Sequence, residues 1–427
     1  MTATADTTRR PAAPPTPGDL MSPRQRLRLV LVLGSLIAVG PLTIDMYLPA
    51  FPAIVADFQT TSAAVQLTLT GTLAGLALGQ LLIGPLSDAV GRRTPLIAGI
   101  ALHVVASLLC VVAPNIVVLG GLRVVQGLGV AAASVVAMAV VRDLFAGAAF
   151  ATLLSRLLLV MGAAPILAPT LGGGLLRWAD WRGVFVALAS FGVLLVVVAA
   201  LGLPETLPVA RRRRGGLVAT ARVYGSLLRD RVFVGLVVVS GLAMAALFAY
   251  VAGSSFVLQD QYGLDEQEFG LAFGAGAVGL IGATQFNVRL LRRHPPQRIL
   301  VAALAVGAVA GLVLLAVAAT GFGGLPSLLV SLWVVLAAAG LAMPNAPALA
   351  LSRHGAAAGT ASALLGAVQF GVGALAAPLV GVLGTGAVAM AVVVAGGLVA
   401  ATAVLLVVVR PARLAHLEPG PVLAAAH

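Results

Sequence analysis

Residues 84–93 read GPLSDAVGRR, a polar stretch that joins two apolar runs at about 63–86 and 95–113. Each run is about twenty residues, enough to cross roughly 30 Å of hydrocarbon at 1.5 Å per residue. The stretch therefore reads as a charged loop between two membrane spans. Working outward from it, the same alternation yields twelve candidate spans: 28–50, 63–86, 95–113, 116–140, 150–175, 183–203, 232–256, 269–290, 299–320, 326–348, 358–382 and 387–409. Gly and Pro recur inside these runs. In a membrane they permit close helix packing and kinks, because neighbouring groups satisfy the freed backbone.

Composition supports lipid as the solvent. The 427 residues are 60% hydrophobic and only 9% charged, with a mean hydropathy of +1.08. Soluble domains carry about 25% charged residues. The formal charge of +12 does not mark a nucleic-acid partner, because the positive residues sit at the ends of apolar runs and not on one polar face. Every basic residue is Arg and there is no Lys. A P-loop needs a Lys to reach the phosphates, so this chain has no ATPase site of that kind. The lone Cys110 rules out a disulfide framework, and His103 has no paired ligand for a metal. Neither a cofactor nor a metal is expected, and no cluster of polar groups marks an enzyme.

Loop charge predicts orientation. All Arg residues except Arg123, Arg177 and Arg182 fall in the tails or in loops after even-numbered spans. The opposite side holds Arg177 and Arg182 with the acidic loop of Asp260, Asp265, Glu266 and Glu268. Both termini are thus expected in the cytoplasm. Residues 1–27 read as a disordered cytoplasmic tail, not a signal peptide, and 411–427 as a second tail. The basic stretch 204–231 divides the spans into an N-terminal six-helix bundle at 28–203 and a C-terminal one at 232–410, the layout of pseudo-symmetric halves around a cavity. NVRLLRRHPP at 287–296 is a weak echo of GPLSDAVGRRTP at 84–95.

Polar groups inside spans are costly and therefore informative. Asp45 is the only carboxylate well inside a span, and Arg123 the only arginine. Asp45 lies 17 residues past residue 28, roughly 26 Å along a helix. Arg123 lies seven residues from the other end of the fourth span, roughly 10 Å. Both depths fall in the outer half. Asp45 is expected to carry a proton, with Arg123 as its partner; the alternative is a static buried ion pair. Gln126 shares a helix face with Arg123. Gln66, Gln80, Gln126, Asn345 and Gln369 are each candidates to contact a ligand or to hold helices together. Tyr47, Phe248, Tyr250, Met138 and Met161 are candidates for an aromatic and thioether pocket suited to flat apolar molecules. In the fifth span, GAAPILAPTLGG (162–173) places Pro165 and Pro169 four apart, followed by Gly172 and Gly173. This predicts a bent helix and a close neighbour.

Several stretches together resemble the major facilitator superfamily, in its twelve-span drug:proton antiporter branch and closest to the Bcr/CflA type named for bicyclomycin and chloramphenicol resistance. They are GPLSDAVGRR, LRVVQGLGVAAA (122–133), VRDLF (141–145), APILAPTLGG (164–173), IDMYLPAFP (44–52), WRGVF (181–185), LPETL (203–207), YVAGSSFVLQDQYG (250–263), MPNAPALAL (343–351) and GTASALLGAVQF (359–370). The resemblance covers nearly all of 28–410. It implies an all-α membrane fold of twelve helices in two six-helix bundles. It assigns Asp88, Arg92 and Arg93, joined by Asp143, to a charge network that latches one conformation, with Gly84 and Gly91 permitting the turn. It links Arg123 to proton coupling and matches Asp45 to the acidic position of the first span. The motif at Pro165, Pro169, Gly172 and Gly173 implies export by antiport. Two departures are visible. The second-half loop has Asn287 and no acidic residue in the place of Asp88. GSSF at 253–256 stands where Ser-Pro is more usual, which leaves the bend of the seventh span open.

The resulting expectation is a monomeric transporter in the bacterial inner membrane. It would exchange protons for small, largely apolar drugs or antibiotics by alternating access. The alternative is a proton-coupled exporter of an endogenous metabolite or sugar.

Overall fold

The computed structural model describes residues 18, 21–212, 217–354 and 357–411. Regular structure among them is helical throughout: α1 (Pro23–Asp45), α2 (Phe51–Phe58), α3 (Ser62–Val90), α4 (Arg93–Val111), α5 (Ile116–Leu144), α6 (Gly147–Leu176), α7 (Arg182–Gly202), α8 (Leu217–Leu227), α9 (Arg231–Ser255), α10 (Glu266–Leu290), α11 (Pro296–Thr320), α12 (Gly324–Ser352), α13 (Ala358–Leu383) and α14 (Ala387–Val404). Among the described residues, twelve spans are long and apolar enough to cross a membrane. The first comprises α1 and α2, and α8 lies between the sixth and seventh.

Helix starts follow local chemistry. Thr61, Asn115 and Asp230 each accept a backbone N–H in the first turn of α3, α5 and α9, satisfying donors that a helix start leaves free. Ser22 and Gln25 form a capping box that opens α1 at Pro23. The expected tail therefore ends earlier than residue 27, because this box and Pro at N1 start a helix before the apolar run does. Most of that tail, Arg213 and Arg214 of the basic stretch, and the tail at 412–427 lie outside the described residues.

The packing is two-fold pseudo-symmetric. In the first half α3 packs on α5, α4 on α5 and α7, and α1 on α5, α6 and α7. The second half repeats each pair: α10 on α12, α11 on α12 and α14, and α9 on α12, α13 and α14. Two seams join the halves, α3 against α13 and α6 against α10, and these also exchange under the pseudo-symmetry. The seams are made of small residues. A Cβ on Gly381 would meet the backbone of Ala63, and one on Gly274 would approach the Ile166 carbonyl. Apolar side chains such as Leu78, Val105, Leu194, Val309, Leu375 and Val407 stand exposed on the outside, as expected for a surface facing lipid.

The first span is not one continuous helix. α1 stops at Asp45, a 3-10 turn covers Leu48–Ala50, and α2 follows. Pro49 and Pro52 explain the interruption. Neither can donate to the carbonyl four residues earlier, so the α-helical pattern breaks here and the Leu48 carbonyl accepts the Phe51 amide in the 3-10 turn instead. Such backbone is tolerated at membrane depth only where protein encloses it. Leu48, Pro49 and Ala50 are fully buried.

Candidate functional site

The interruption in the first span is held from two sides. From within its own half it is held by Arg123, which is fully buried on α5. Both terminal nitrogens of Arg123 donate to the Thr43 carbonyl at 3.1 Å, and Nη1 also donates to Gln126 Oε1. Gln126 Nε2 donates to Ser107 Oγ at 2.7 Å, and Ser107 donates to the His103 carbonyl at 2.7 Å. Arg123 Cζ stands 4.4 Å from the Tyr47 ring centre and 5.7 Å from that of Phe185, within cation–π range. The Tyr47 hydroxyl lies 3.0 Å from Thr68 Oγ1. Thr43 carries one of the last carbonyls of α1, at the negative end of its dipole. A guanidinium there caps the helix end and finds favourable charge.

Asp45 does not pair with Arg123. Ion pairs among the described residues do not include either group. This corrects the expected partnership. Asp45 is two residues from Thr43, about 200° of helical turn. The rotation that presents the Thr43 carbonyl to Arg123 turns the Asp45 side chain away from it. Asp45 is buried at 6% exposure and has no hydrogen-bond partner among the described residues. It is close enough to Tyr250 on α9 for the two to interact electrostatically. No hydrogen bond or ion pair among the described residues fixes the charge of Asp45.

From the second half, α9 holds the interruption. Ser255 Oγ donates to the Leu48 carbonyl at 2.7 Å, a second donor beside the Phe51 amide of the 3-10 turn. Gln259 Nε2 donates to the Pro49 carbonyl at 3.3 Å and to Ser255 Oγ at 2.8 Å. Phe51 packs on Phe256 with ring centres 5.7 Å apart. Gln66 Nε2 donates to the Ala252 carbonyl at 3.1 Å and Thr70 Oγ1 to the Ala374 carbonyl at 3.1 Å. These are the hydrogen bonds between the halves among the described residues. All lie in the part of the molecule away from the start of α1. The bend of the seventh span is thereby settled: α9 runs into a π-helical turn at Phe256–Gln261, and Ser255 of GSSF makes the bond across the seam.

The fifth-span motif sits against the same closure. α6 runs unbroken through Pro165 and Pro169. A Cβ on Gly172 would collide with the Met46 carbonyl at the interruption, and one on Gly173 with the Glu266 carbonyl of α10. Across the seam, a Cβ on Gly270 would lie 2.9 Å from the Pro169 carbonyl. The motif's small residues therefore let α6 touch both the interrupted span and the opposite half.

The expected ligand contacts separate into groups. Tyr47 and Gln126 are fully buried inside the Arg123 cluster, so packing and not an open cavity surrounds them. Tyr250 stacks on Phe273 at 5.1 Å, and Phe248 approaches Phe370 at 6.2 Å. These are two separate aromatic pairs within the second half, and Phe248, Tyr250 and Phe273 are buried; Phe273 and Phe370 were missed in the sequence. Gln369 Nε2 donates to Ser240 Oγ at 2.7 Å. Asn345 Nδ2 donates to Asn287 Oδ1 at 2.7 Å, a contact internal to the second half. Met138 is half-buried and Met161 exposed, and neither joins the aromatic pairs in any described ring contact.

At the end where α1 starts, the charge network is continuous but lies within the first half. Arg92 Nη1 donates to Asp88 Oδ1 at 2.6 Å and to Ser87 Oγ at 2.8 Å. Arg92 Nε donates to Asp143 Oδ2 at 2.8 Å, and Thr206 Oγ1 donates to the same oxygen at 3.2 Å. Arg93 donates to the Ala200 carbonyl. Gly91 has φ +106°, a conformation L side chains rarely adopt, and it ends α3. Gly84 is not in the turn. Residues 84–90 continue α3, with nothing near a Cβ at Gly84, so the loop shrinks to Gly91 and Arg92. Asp88 in the last turn of α3 bonds Arg92 across the Gly91 turn, tying the end of α3 to the start of α4.

Glu205 completes this network and was not singled out from LPETL. Its carboxylate accepts the Arg92 amide at 2.8 Å, the Leu207 amide at 2.9 Å and the Arg93 amide at 3.3 Å, capping α4 from the far end of the half. Partial burial pushes its pKa up. The amides of Arg92, Leu207 and Arg93 and the charge of Arg212 outweigh that and hold it below the ordinary carboxylate range. Glu205, one of only two acids in the basic stretch 204–231, was the available signal. Glu205→Gln is expected to lower stability by about 1 kcal/mol at neutral pH, the usual size of a lost cap. A lowered folded pKa contributes stability above the unfolded value, about 4.3, and loses it as pH falls through the folded one. Melting curves of wild type and variant should therefore differ at pH 7 and converge below about pH 4; a constant difference would remove Glu205 as the cap.

Comparison with known proteins matches this architecture. A model of the Major Facilitator Superfamily matches residues 33–378. The uncharacterized MFS-type transporter YdgK of Bacillus subtilis is 38% identical over 354 residues, 82% of this chain and 88% of that protein. The bicyclomycin resistance protein homolog of Haemophilus influenzae is 31% identical over 346 residues, 81% of this chain and 87% of that protein. The crystal structure of a D-xylose-proton symporter aligns with a TM-score of 0.69 at 17% identity, over 90% of this chain and 97% of that one; at this identity the likeness speaks for the fold alone. Twelve spans, two seams related by pseudo-symmetry and a family match over most of the sequence lead to one conclusion: the chain is a membrane transporter of the Major Facilitator Superfamily.

Proposed function

We propose that this transporter exports small, largely apolar molecules in exchange for protons, with Asp45 as the proton carrier. The observation that carries the proposal is the interrupted first span. Arg123 grips it from one half and Ser255 and Gln259 from the other, while Asp45 beside the seam has no partner. When the halves rock apart at that end, the bonds from Ser255 and Gln259 break, and the bonds from Arg123 stay. The break therefore moves with its own half, and Asp45 is carried from an enclosed seam to open water. A carboxyl group that alternates in this way can load a proton on one side and give it up on the other. A ligand shifts the two states only by its differential affinity for them. Proton loading of Asp45 on the far side favours ligand release there, and proton loss on the near side resets the cavity.

Orientation follows from the arginines. The end with the start of α1 is the basic one, which places both termini in the cytoplasm by the positive-inside tendency. In this arrangement the present closure is on the outside and the basic end is the one available to ligand. The fifth-span glycines, which bring α6 against the interruption and against α10 together, support export. So does the 31% identity to a protein named for bicyclomycin resistance. The protein is taken to act as a monomer in the bacterial inner membrane.

Transport in proteoliposomes tests the proposal, with an imposed pH gradient and a chloramphenicol-like compound and a cationic dye as paired ligands. Accumulation that collapses on adding a protonophore is expected for at least one of them. Transport that ignores the gradient would contradict proton exchange. Folded protein that moves neither ligand would favour an exporter of an endogenous metabolite or sugar.

A further inference from the structure

On the second half, three helices leave a groove of about 540 Å³ that the transport cycle does not use. Its floor is small, with Ala283 on α10, Ala302 and Ala303 on α11, and Ala337 and Ala338 on α12. Its walls are Phe286, Trp333 and Val306, all exposed. α10 and α11 touch at most marginally, so α12 forms the bottom between them. In the first half the equivalent α3 and α4 do meet, so the groove breaks the pseudo-symmetry. The outer face of α11 continues past it as exposed Val309, Leu312 and Val313. This is a surface for lipid, not part of the seam between the halves.

One end of the groove is cationic. His294 and Arg298 line it at the basic end of the molecule. Arg289, Arg292 and Arg293 belong to the same turn-rich connection. Arg298 and His294 have no carboxylate partner among the described residues. Asp230, the acid bound to this half's basic end, is already engaged by Arg353 at 3.2 Å and His354 at 3.1 Å. From Arg298 to Val306 is eight residues, roughly 12 Å of helix, a length that takes about half of an acyl chain. An apolar trough this long, opening beneath the unpaired Arg298 and the hydrogen-bonding ring of His294 at the membrane surface, has the chemistry of a phospholipid with a negative headgroup.

We propose that the groove between α10, α11 and α12 is a specific site for an anionic phospholipid, the acyl chain lying along the alanine floor and the headgroup phosphate meeting Arg298 and His294. A zwitterionic lipid can fill the trough, but it gains less from the Arg298 charge. The selectivity therefore resides in the two side chains at the mouth.

Trp333 lies in the groove wall and reports on what occupies it. The full chain, reconstituted in phosphatidylcholine nanodiscs, would be titrated with phosphatidylglycerol brominated on its acyl chains, and separately with brominated phosphatidylcholine. Tryptophan quenching is expected at lower mole fractions of the anionic lipid. Trp333→Phe, which keeps Trp178 and Trp181, should remove that component. The double variant His294→Gln, Arg298→Gln should lose the preference, by roughly fivefold for the Arg298 charge removed, the effect of about 1 kcal/mol. Arg298→Lys should keep much of it. Equal quenching by the two lipids in the wild type, or a preference unchanged in the double variant, would overturn the site. Displacement of brominated phosphatidylglycerol by millimolar inorganic phosphate would also overturn it, since the mouth would then be reading a free anion and not a lipid.

Discussion

Replacing Asp45 with Asn is expected to leave ligand binding near the wild-type level and to abolish accumulation against a gradient. Asn has nearly the shape of the protonated acid, so the packing beside Tyr250 is retained, but it carries no proton. The size of the effect follows from the driving force. One proton moving down a gradient of one pH unit supplies about 1.4 kcal/mol, enough for a tenfold accumulation. In proteoliposomes the wild type should approach that ratio under such a gradient, and the variant should only equilibrate ligand across the membrane. No partner of Asp45 is removed by the change, because the described structure gives it none. A general loss of folding is therefore not expected, and a melting curve checks this. Uphill transport by Asp45→Asn at the wild-type rate would remove Asp45 from the coupling.

The second large effect is expected at Gly173. A side chain there meets the Glu266 carbonyl of α10, a backbone atom of the opposite half that cannot swing aside as a flexible side chain does. Overpacking of this kind costs about 1–3 kcal/mol. Here the cost falls on the closed end alone, since the contact breaks when the halves separate. A shift of that size changes the ratio of the two states by roughly 5- to 150-fold. Gly173→Val should hold the end away from the start of α1 open and slow transport by roughly tenfold or more. Labelling measures the shift directly. Ser255→Cys, buried beneath Leu48, should resist an impermeant maleimide added from that face. In the Gly173→Val background it should react at least tenfold faster. The lone native Cys110 is buried and adds little background. Labelling at the same slow rate in both backgrounds would mean that the α6–α10 contact does not govern closure.

The twelve spans were legible because lipid leaves a coarse record: every crossing needs about twenty apolar residues and every turn is polar. The helices outrun those limits at several ends, as α3 does through Val90. Arg123 and Asp45 stood out for the same reason, as charges where charge is costly. Their arrangement did not. Depth along a helix placed them at one level, but rotation about the helix axis decides what each one meets, and that depended on where α1 ends. The interruption follows from Pro49, at the end of the stretch 28–50 read as one continuous span, and from Pro52 just past it. Ser255 and Gln259 were invisible because ordinary polar residues acquire a role only when an accepting carbonyl lies opposite them. Tyr47 and Gln126 were read as ligand contacts from residue type, whereas the demand of a buried guanidinium for partners drew both of them into the first half.

The proton itself gives the most direct test. Purified transporter in weakly buffered detergent solution would be mixed with a ligand that it transports, and the pH followed. Ligand binding is expected to release protons from the wild type in proportion to the ligand bound, and to release none from Asp45→Asn at matched occupancy. Equal release from both proteins, or none from wild type with the ligand demonstrably bound, would contradict Asp45 as the group that exchanges proton for substrate.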